Sequence, residues 1–227
     1  MKQKKPTKTE AIKDENPEEG KGKAKRLFGA RVTSLLLLCY MASFLGWIVE
    51  NTFRAISIGV LDSRHQILPF LLAYGLGIFI LFFVLGTPQE MRFFKKRILA
   101  ENTKRNRIIR ECIYFVCVFV LILFGEMGVG LFFEKCFGIV LWHYAHTPLT
   151  ITKYTSIPTA LGFTIGVFLL MRFVFPHALR LMDRIPDKAA LIAVISIGLL
   201  LLADYCAMIG VMIKKGHAPE YWRIRFR

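Results

Sequence analysis

Acidic residues are the scarce ones here: 16 Asp and Glu stand against 31 Lys and Arg in a chain of 227. Cysteine is also sparse. Four of the five cysteines (Cys39, Cys112, Cys117, Cys136 and Cys206) fall in apolar runs, where they act as small hydrophobes. No disulfide framework or metal-ligand spacing can be read from them. No G-x-x-x-x-G-K-[ST] loop is present, which excludes ATP hydrolysis by that machinery. G-x-S-x-G and H-E-x-x-H are missing too, so neither a nucleophile elbow nor a zinc-protease helix is expected. No ATPase, hydrolase or metalloprotease motif marks the chain as an enzyme, and no cofactor or metal is expected. No cleavable signal peptide is expected, because the polar leader is too long and too acidic and the first apolar run lacks a small-x-small site. Neither tandem nor inverted repeats appear.

What the chain has in quantity is apolar sequence: 55% of residues are hydrophobic, 20 of them Phe. Five long apolar runs cover about residues 32–58, 67–87, 108–133, 157–175 and 189–213. A bilayer crossing takes about 20 apolar residues. In lipid only helices and closed barrels satisfy the backbone, and none of the runs alternates as a barrel strand does. The expected fold is therefore all-α: a polytopic transmembrane bundle of about five helices at residues 32–213. A disordered basic leader (1–31) precedes it and a basic tail (214–227) follows. Pro158 suits the first turn of the fourth helix, Pro176 is expected to stop it, and Pro186 precedes the fifth.

The net charge of +15 does not point to nucleic acid, because the basic residues cluster between the apolar runs. The leader holds 10 Lys and Arg, residues 92–110 hold 8 and residues 172–188 hold 4. For five helices these fall on one side, 22 in all against 9 on the other, which predicts a cytoplasmic N-terminus. The basic tail then lies outside, against the rule. Lys21, Lys23, Lys25, Arg26 and Arg31 either touch anionic headgroups or serve only as a topology signal. The expected partners are membrane lipids.

Against that background the few buried-looking acids carry the functional question. Glu50, Glu126, Glu134 and Asp204 sit in apolar runs, and Asp62 lies in a short outer loop. A carboxylate in hydrocarbon costs at least about 2.5 kcal/mol, so each is expected to face a partner, water or a task. The topology puts all four in the outer half of the membrane. Arg64 and His65, and further on His143 and His146, come from the outer loops on the same side. Glu50 either pairs locally with Arg54, one turn on, or faces a cavity. Gly125, Gly128 and Gly130 are packing glycines or a kink beside Glu126, and Gly162 and Gly166 form a small-xxx-small packing pair. Trp142 and Tyr144 suit an interfacial belt. The expectation is that Glu50, Arg64, Glu126 and Glu134 converge on one outward-facing polar site. His143 or Tyr144 stands at its rim, Trp142 is nearby, and Asp204 either joins or bonds to a neighbouring helix.

Ordered motifs add to this. Ser43-Phe44-Leu45-Gly46-Trp47-Ile48-Val49-Glu50 is followed by Pro69 and Tyr74-Gly75-Leu76-Gly77. Gly125-Glu126, Gly130, Glu134-Lys135, Gly138 and Leu141-Trp142-His143-Tyr144 complete the pattern. The set, over about residues 35–175, resembles the family named "putative ABC-transporter type IV", small bacterial multi-pass membrane proteins. The resemblance implies a permease subunit in the cell membrane, with a separate ATPase docking at the 89–110 cytoplasmic loop. It carries over Glu50, Arg64, Glu126, Glu134, Trp142 and Tyr144. The family pattern has an acidic residue where this chain has His143, and Asn-Arg-Gly where it reads Ser63-Arg64-His65. The functional expectation is a transporter or ABC-permease-like component with a carboxylate-lined cavity. The alternatives are a membrane enzyme acting on lipid or envelope substrates, and a non-catalytic scaffold or sensor.

Overall fold

A computed structural model describes residues 26–28, 30–101, 103–144 and 147–226. The expected disorder of the leader (1–31) lies outside the described residues over 1–25, while Arg26–Leu27 pair antiparallel with Ala30–Arg31 and so are ordered; His146 is likewise outside the described residues. Five helices form the bundle: α1 (Val32–Ile58), α2 (Leu72–Leu85), α3 (Lys104–Phe137), α4 (Ile157–Met182) and α5 (Asp187–Lys215). All but α2 are long and apolar enough to cross a membrane. Large apolar side chains stand exposed along them, among them Phe124, Leu199, Leu200 and Leu202. In a soluble protein such faces would be a liability; in a bilayer they meet acyl chains.

Local sequence sets most boundaries. The Thr103 side chain accepts the Asn106 N–H at 3.2 Å and starts α3 four residues before its apolar run. Gly59 and Gly138 end α1 and α3 with φ of 65° and 68°, a left-handed conformation that costs glycine nothing. Pro158 occupies the first turn of α4, and Ser156 caps it.

Two boundaries depart from expectation. Pro176 does not stop α4. Proline has no N–H for the carbonyl four residues back, that of Arg172, and the helix absorbs the gap with a π-helical turn at Leu170–Val174. The freed Arg172 carbonyl accepts the Gln89 side-chain amide at 2.6 Å, so the helix continues to Met182. The second run was expected to be helical from 67 to 87, but α2 has 14 residues and a length of about 21 Å. Its first stretch is irregular backbone, which is tolerated at membrane depth only when buried and paired. Here α5 supplies the partners: the Asp204 carboxylate accepts the N–H groups of Ile67 (3.0 Å) and Leu68 (2.9 Å), and the Tyr205 hydroxyl oxygen accepts that of Leu72 (2.9 Å).

The helices run alternately, and the main core lies toward the Arg31 end. There Leu35, Leu38, Phe82, Tyr114, Met171 and Phe175 pack together. Arg31, 8% exposed, is a tie within the protein rather than a lipid contact. It donates to the Met182 carbonyl (2.7 Å) and pairs with Asp183 (3.1 Å) and Asp187, joining α1 to the α4–α5 turn. At the opposite end two short ribbons form. Strand β1 (Val60–Asp62) pairs antiparallel with the tail strand β4 (Arg223–Arg225), Leu61 opposite Ile224. Strands β2 (Thr150–Thr152) and β3 (Thr155–Ser156) make a hairpin before α4. The tail therefore lies at the end away from Arg31.

His65 helps to hold that tail, donating from Nδ1 to the Pro219 carbonyl at 3.0 Å. It sits at φ 72°, in the left-handed region. Burial lowers its pKa below 6.5, and the Arg64 and Arg54 charges act in the same direction. A lowered histidine pKa means that the undocked chain binds the proton more readily. Tail docking is then intact above about pH 6.5 and weakens as pH falls below it. Protection factors at Trp222–Arg225, measured against the intrinsic exchange rate at each pH, should therefore fall between about pH 7.5 and about pH 5.5, and His65→Gln should flatten that dependence.

Candidate functional site: two carboxylates and one arginine

The site begins with a glycine. A Cβ at Gly46 would come within 2.4 Å of the Tyr74 ring, so only glycine lets α2 approach α1 this closely. Four residues on, on the same helical face, Glu50 Oε2 accepts the Tyr74 hydroxyl proton at 2.9 Å. The other oxygen of Glu50 meets Arg64 at 3.1 Å. Arg64 comes from the loop after β1, where its φ is 52° and that of His65 is 72°. Such conformations in non-glycine residues persist only when the surroundings fix them. Asp62, 6% exposed, does the fixing. It accepts the Arg64 N–H at 3.0 Å, pairs with Arg54 at 2.7 Å, and its own N–H is taken by Asn51 Oδ1 at 3.0 Å. Arg54 thus serves Asp62 rather than Glu50, and Glu50 faces the interior of the bundle.

Glu126 reaches the same place from α3. Its Oε2 accepts the Thr155 hydroxyl at 2.7 Å, and the Tyr144 hydroxyl bonds to it as well as to Thr159. Glu50 is its charged neighbour. Tyr144 lies on the loop before β2, held by its N–H to the Lys153 carbonyl at 2.8 Å. Its phenol is pushed above the ordinary range by burial first, then by the Glu126 and Glu50 charges, so it stays protonated and donates. Glu50, Arg64 and Tyr74 form one bonded group and Glu126, Tyr144 and Thr155 a second, and the two feel each other through the charges of Glu50 and Glu126. Together they hold two carboxylates and one guanidinium. Among the described residues no Lys or Arg forms an ion pair with Glu126.

The other expected residues lie elsewhere. Glu134 pairs with Lys153 and accepts the Tyr154 hydroxyl. Glu134 raises the Lys153 pKa, so the lysine stays charged. Tyr154 repeats the Tyr74 arrangement: its ring lies 2.4 Å from where a Cβ on Gly130 would be, again four residues before the glutamate it contacts. Trp142 braces the same hairpin, donating from Nε1 to the Tyr154 carbonyl at 2.9 Å. Glu134 and Trp142 thus fix the ribbon that brings Thr155 to Glu126. His143 is exposed on the adjoining loop. Asp204 bonds to the backbone at residues 67 and 68, apart from the cluster. Gly125, Gly128, Gly162 and Gly166 have no atom within 4 Å of an added Cβ, so the close approaches expected at them are absent among the described residues.

The sequence reading did not single out Tyr74 or Thr155 as site residues. Tyr74 had a signal, the Tyr-Gly-Leu-Gly run; Thr155 had none. Because Gly46 and Gly130 seat tyrosines, Gly46→Ala and Gly130→Ala are each expected to cost about 1–3 kcal/mol through overpacking. Gly125→Ala and Gly128→Ala should be close to neutral. Thermal unfolding of the four variants in one detergent checks this.

No curated protein and no solved structure matches the chain. A family model does, over residues 37–209, and it covers both halves of the carboxylate cluster as well as Asp204. The protein is an integral membrane protein, and it belongs to the family described as "Putative ABC-transporter type IV".

Proposed function

We propose that the protein is a transport component of the cell membrane, with Glu126 as the residue that loads and releases a proton or small cation. The observation that carries this is the charge count of the cluster. Arg64 balances Glu50, while Glu126 takes hydroxyl donors from Thr155 and Tyr144 and, among the described residues, pairs with no Lys or Arg. A half-buried carboxylate within the membrane that lacks a cationic side chain is stable when it holds a proton or an ion, and such groups mark transport paths. Gain or loss of that charge would be felt by Glu50, hence by the Glu50–Arg64 pair and the strained loop that carries it. The excess of basic residues at the Arg31 end makes that end cytoplasmic, so the cluster opens outward. An ATPase subunit, if one drives the cycle, would dock on the cytoplasmic loop at residues 89–110, where Phe93 and Phe94 stand exposed between basic residues.

Flux measurements test the reading. Purified protein in vesicles with an imposed proton or sodium gradient should discharge one of them, and Glu126→Gln should be silent while remaining folded. Discharge by Glu126→Gln at the wild-type rate would overturn the proposal, as would no wild-type flux under either gradient with or without a co-purified ATPase. Purification in mild detergent that repeatedly yields no nucleotide-binding subunit removes the ATP-driven version and leaves the gradient-driven one.

A further inference from the structure

A second site stands beside the carboxylate cluster and has the opposite chemistry. Between α1, the irregular segment and the tail lies a cavity of about 220 Å³. Trp47 and Trp222 form two of its walls, their ring centroids 6.2 Å apart in an edge-on arrangement. Ser63, Gln66 and residues 67–69 form the rest. None of these side chains is ionisable. The nearest charges are already committed, Arg64 to Glu50 and Asp62, and Asp204 to the N–H groups of Ile67 and Leu68.

Two of the lining residues each carry a buried polar atom that makes no hydrogen bond: the Trp47 indole Nε1–H and the Gln66 Oε1. Gln66 is 3% exposed, and its amide is oriented from behind by a hydrogen bond to the Tyr205 hydroxyl. Leaving a buried polar group unpaired is unfavourable, so a donor and an acceptor on two lining residues call for a complement.

We infer that this cavity binds a small uncharged ligand that presents both a hydrogen-bond acceptor and a donor, of the amide or hydroxylated class. The acceptor meets Trp47 Nε1–H, the donor meets Gln66 Oε1, and the indole faces cover the apolar remainder. The absence of ionisable lining excludes a charged ligand, for which burial without a partner is prohibitive. The volume is below the roughly 300–1,000 Å³ of sites for drug-sized molecules, which limits the ligand to a few heavy atoms. The rival occupant is water, whose share of liquid volume would place about seven molecules in this space. No member of the Glu50–Glu126 cluster lines the cavity, so the site does not depend on the transport reading. The tail supplies one wall, so the site exists only when residues 219–225 are docked on β1.

The test uses the full chain in lipid nanodiscs, labelled with 5-fluorotryptophan, with N-methylacetamide as the probe because it carries one acceptor and one donor. The three tryptophans give three fluorine signals, assigned by Trp→Phe variants. Trp142, bonded to the Tyr154 carbonyl, serves as the internal control. The expected result is a saturable shift of the Trp47 and Trp222 signals with Trp142 unmoved, and at least tenfold weaker binding in Gln66→Met. Trp47→Phe, which keeps an aromatic wall and loses the donor, should weaken the response of Trp222 to a similar extent if Gln66→Met fails to fold. Three signals that drift together without saturation mean water only and overturn the inference. So does a Gln66→Met protein that titrates like the wild type.

Discussion

Asp204→Ala should lose about 2–6 kcal/mol of stability, the largest effect expected of any single substitution in the chain. The figure follows from two N–H groups, those of Ile67 and Leu68, which share one carboxylate and would have no other acceptor; each buried orphan costs about 1–3 kcal/mol. Set against a total of about 5–15 kcal/mol for a folded domain, that is a large fraction. The damage should be local first. Hydrogen exchange should rise across residues 66–72 before the core at the Arg31 end responds. Asp204→Asn keeps one acceptor oxygen and should fall between. A loss below about 1 kcal/mol in Asp204→Ala would mean that the irregular segment is held by something else.

Removing Arg64 comes second. Arg64→Met leaves Glu50 with only the Tyr74 hydroxyl, beside a second carboxylate. Breaking a buried pair by deleting one partner typically costs about 3–5 kcal/mol. The side chains here are 12% and 20% exposed, which screens the interaction, so about 2–4 kcal/mol is expected. The diagnostic is the double variant. Glu50→Gln alone should cost less, and Glu50→Gln with Arg64→Met should recover at least about 1 kcal/mol of the sum, because the uncompensated charge is gone. Strict additivity of the two substitutions, measured by thermal or denaturant unfolding, would remove the ion pair from the account.

How far the sequence reaches depends on where each partner lies. The span of α1 was legible because Arg31 and Gly59 bracket one long, mainly apolar run. The all-helical bundle followed from the length of the runs. The start of α2 was not legible, because what replaces its first helical turn is Asp204, more than 130 residues away in the chain. The continuation of α4 through Pro176 was hidden for the same reason: the acceptor freed by proline is satisfied by Gln89 from another segment. In the site, Glu50 stands out as a charge within an apolar run, and Arg64 as a cation in a short polar loop between two such runs. Tyr74 and Thr155 do not, because a hydroxyl-bearing residue among apolar ones is ordinary. Glu134 stands out equally well but belongs to Lys153, 19 positions on, and spacing alone cannot tell a pinned hairpin from a cavity wall. The glycines divide by what meets them: Gly46 and Gly130 each seat a tyrosine ring, while Gly125 and Gly128, in the same run as Gly130, meet nothing.

The central claim is that Glu126 is the exchangeable charge of the cluster. Infrared difference spectra on a pH jump, recorded on the full chain in lipid, test it most directly. The account predicts a protonated-carboxyl band in the wild type that vanishes in Glu126→Gln. That band should shift when Thr155→Val removes a hydroxyl donor, and persist in Glu134→Gln. A band that survives unchanged in Glu126→Gln, or that disappears in Glu134→Gln instead, would contradict it.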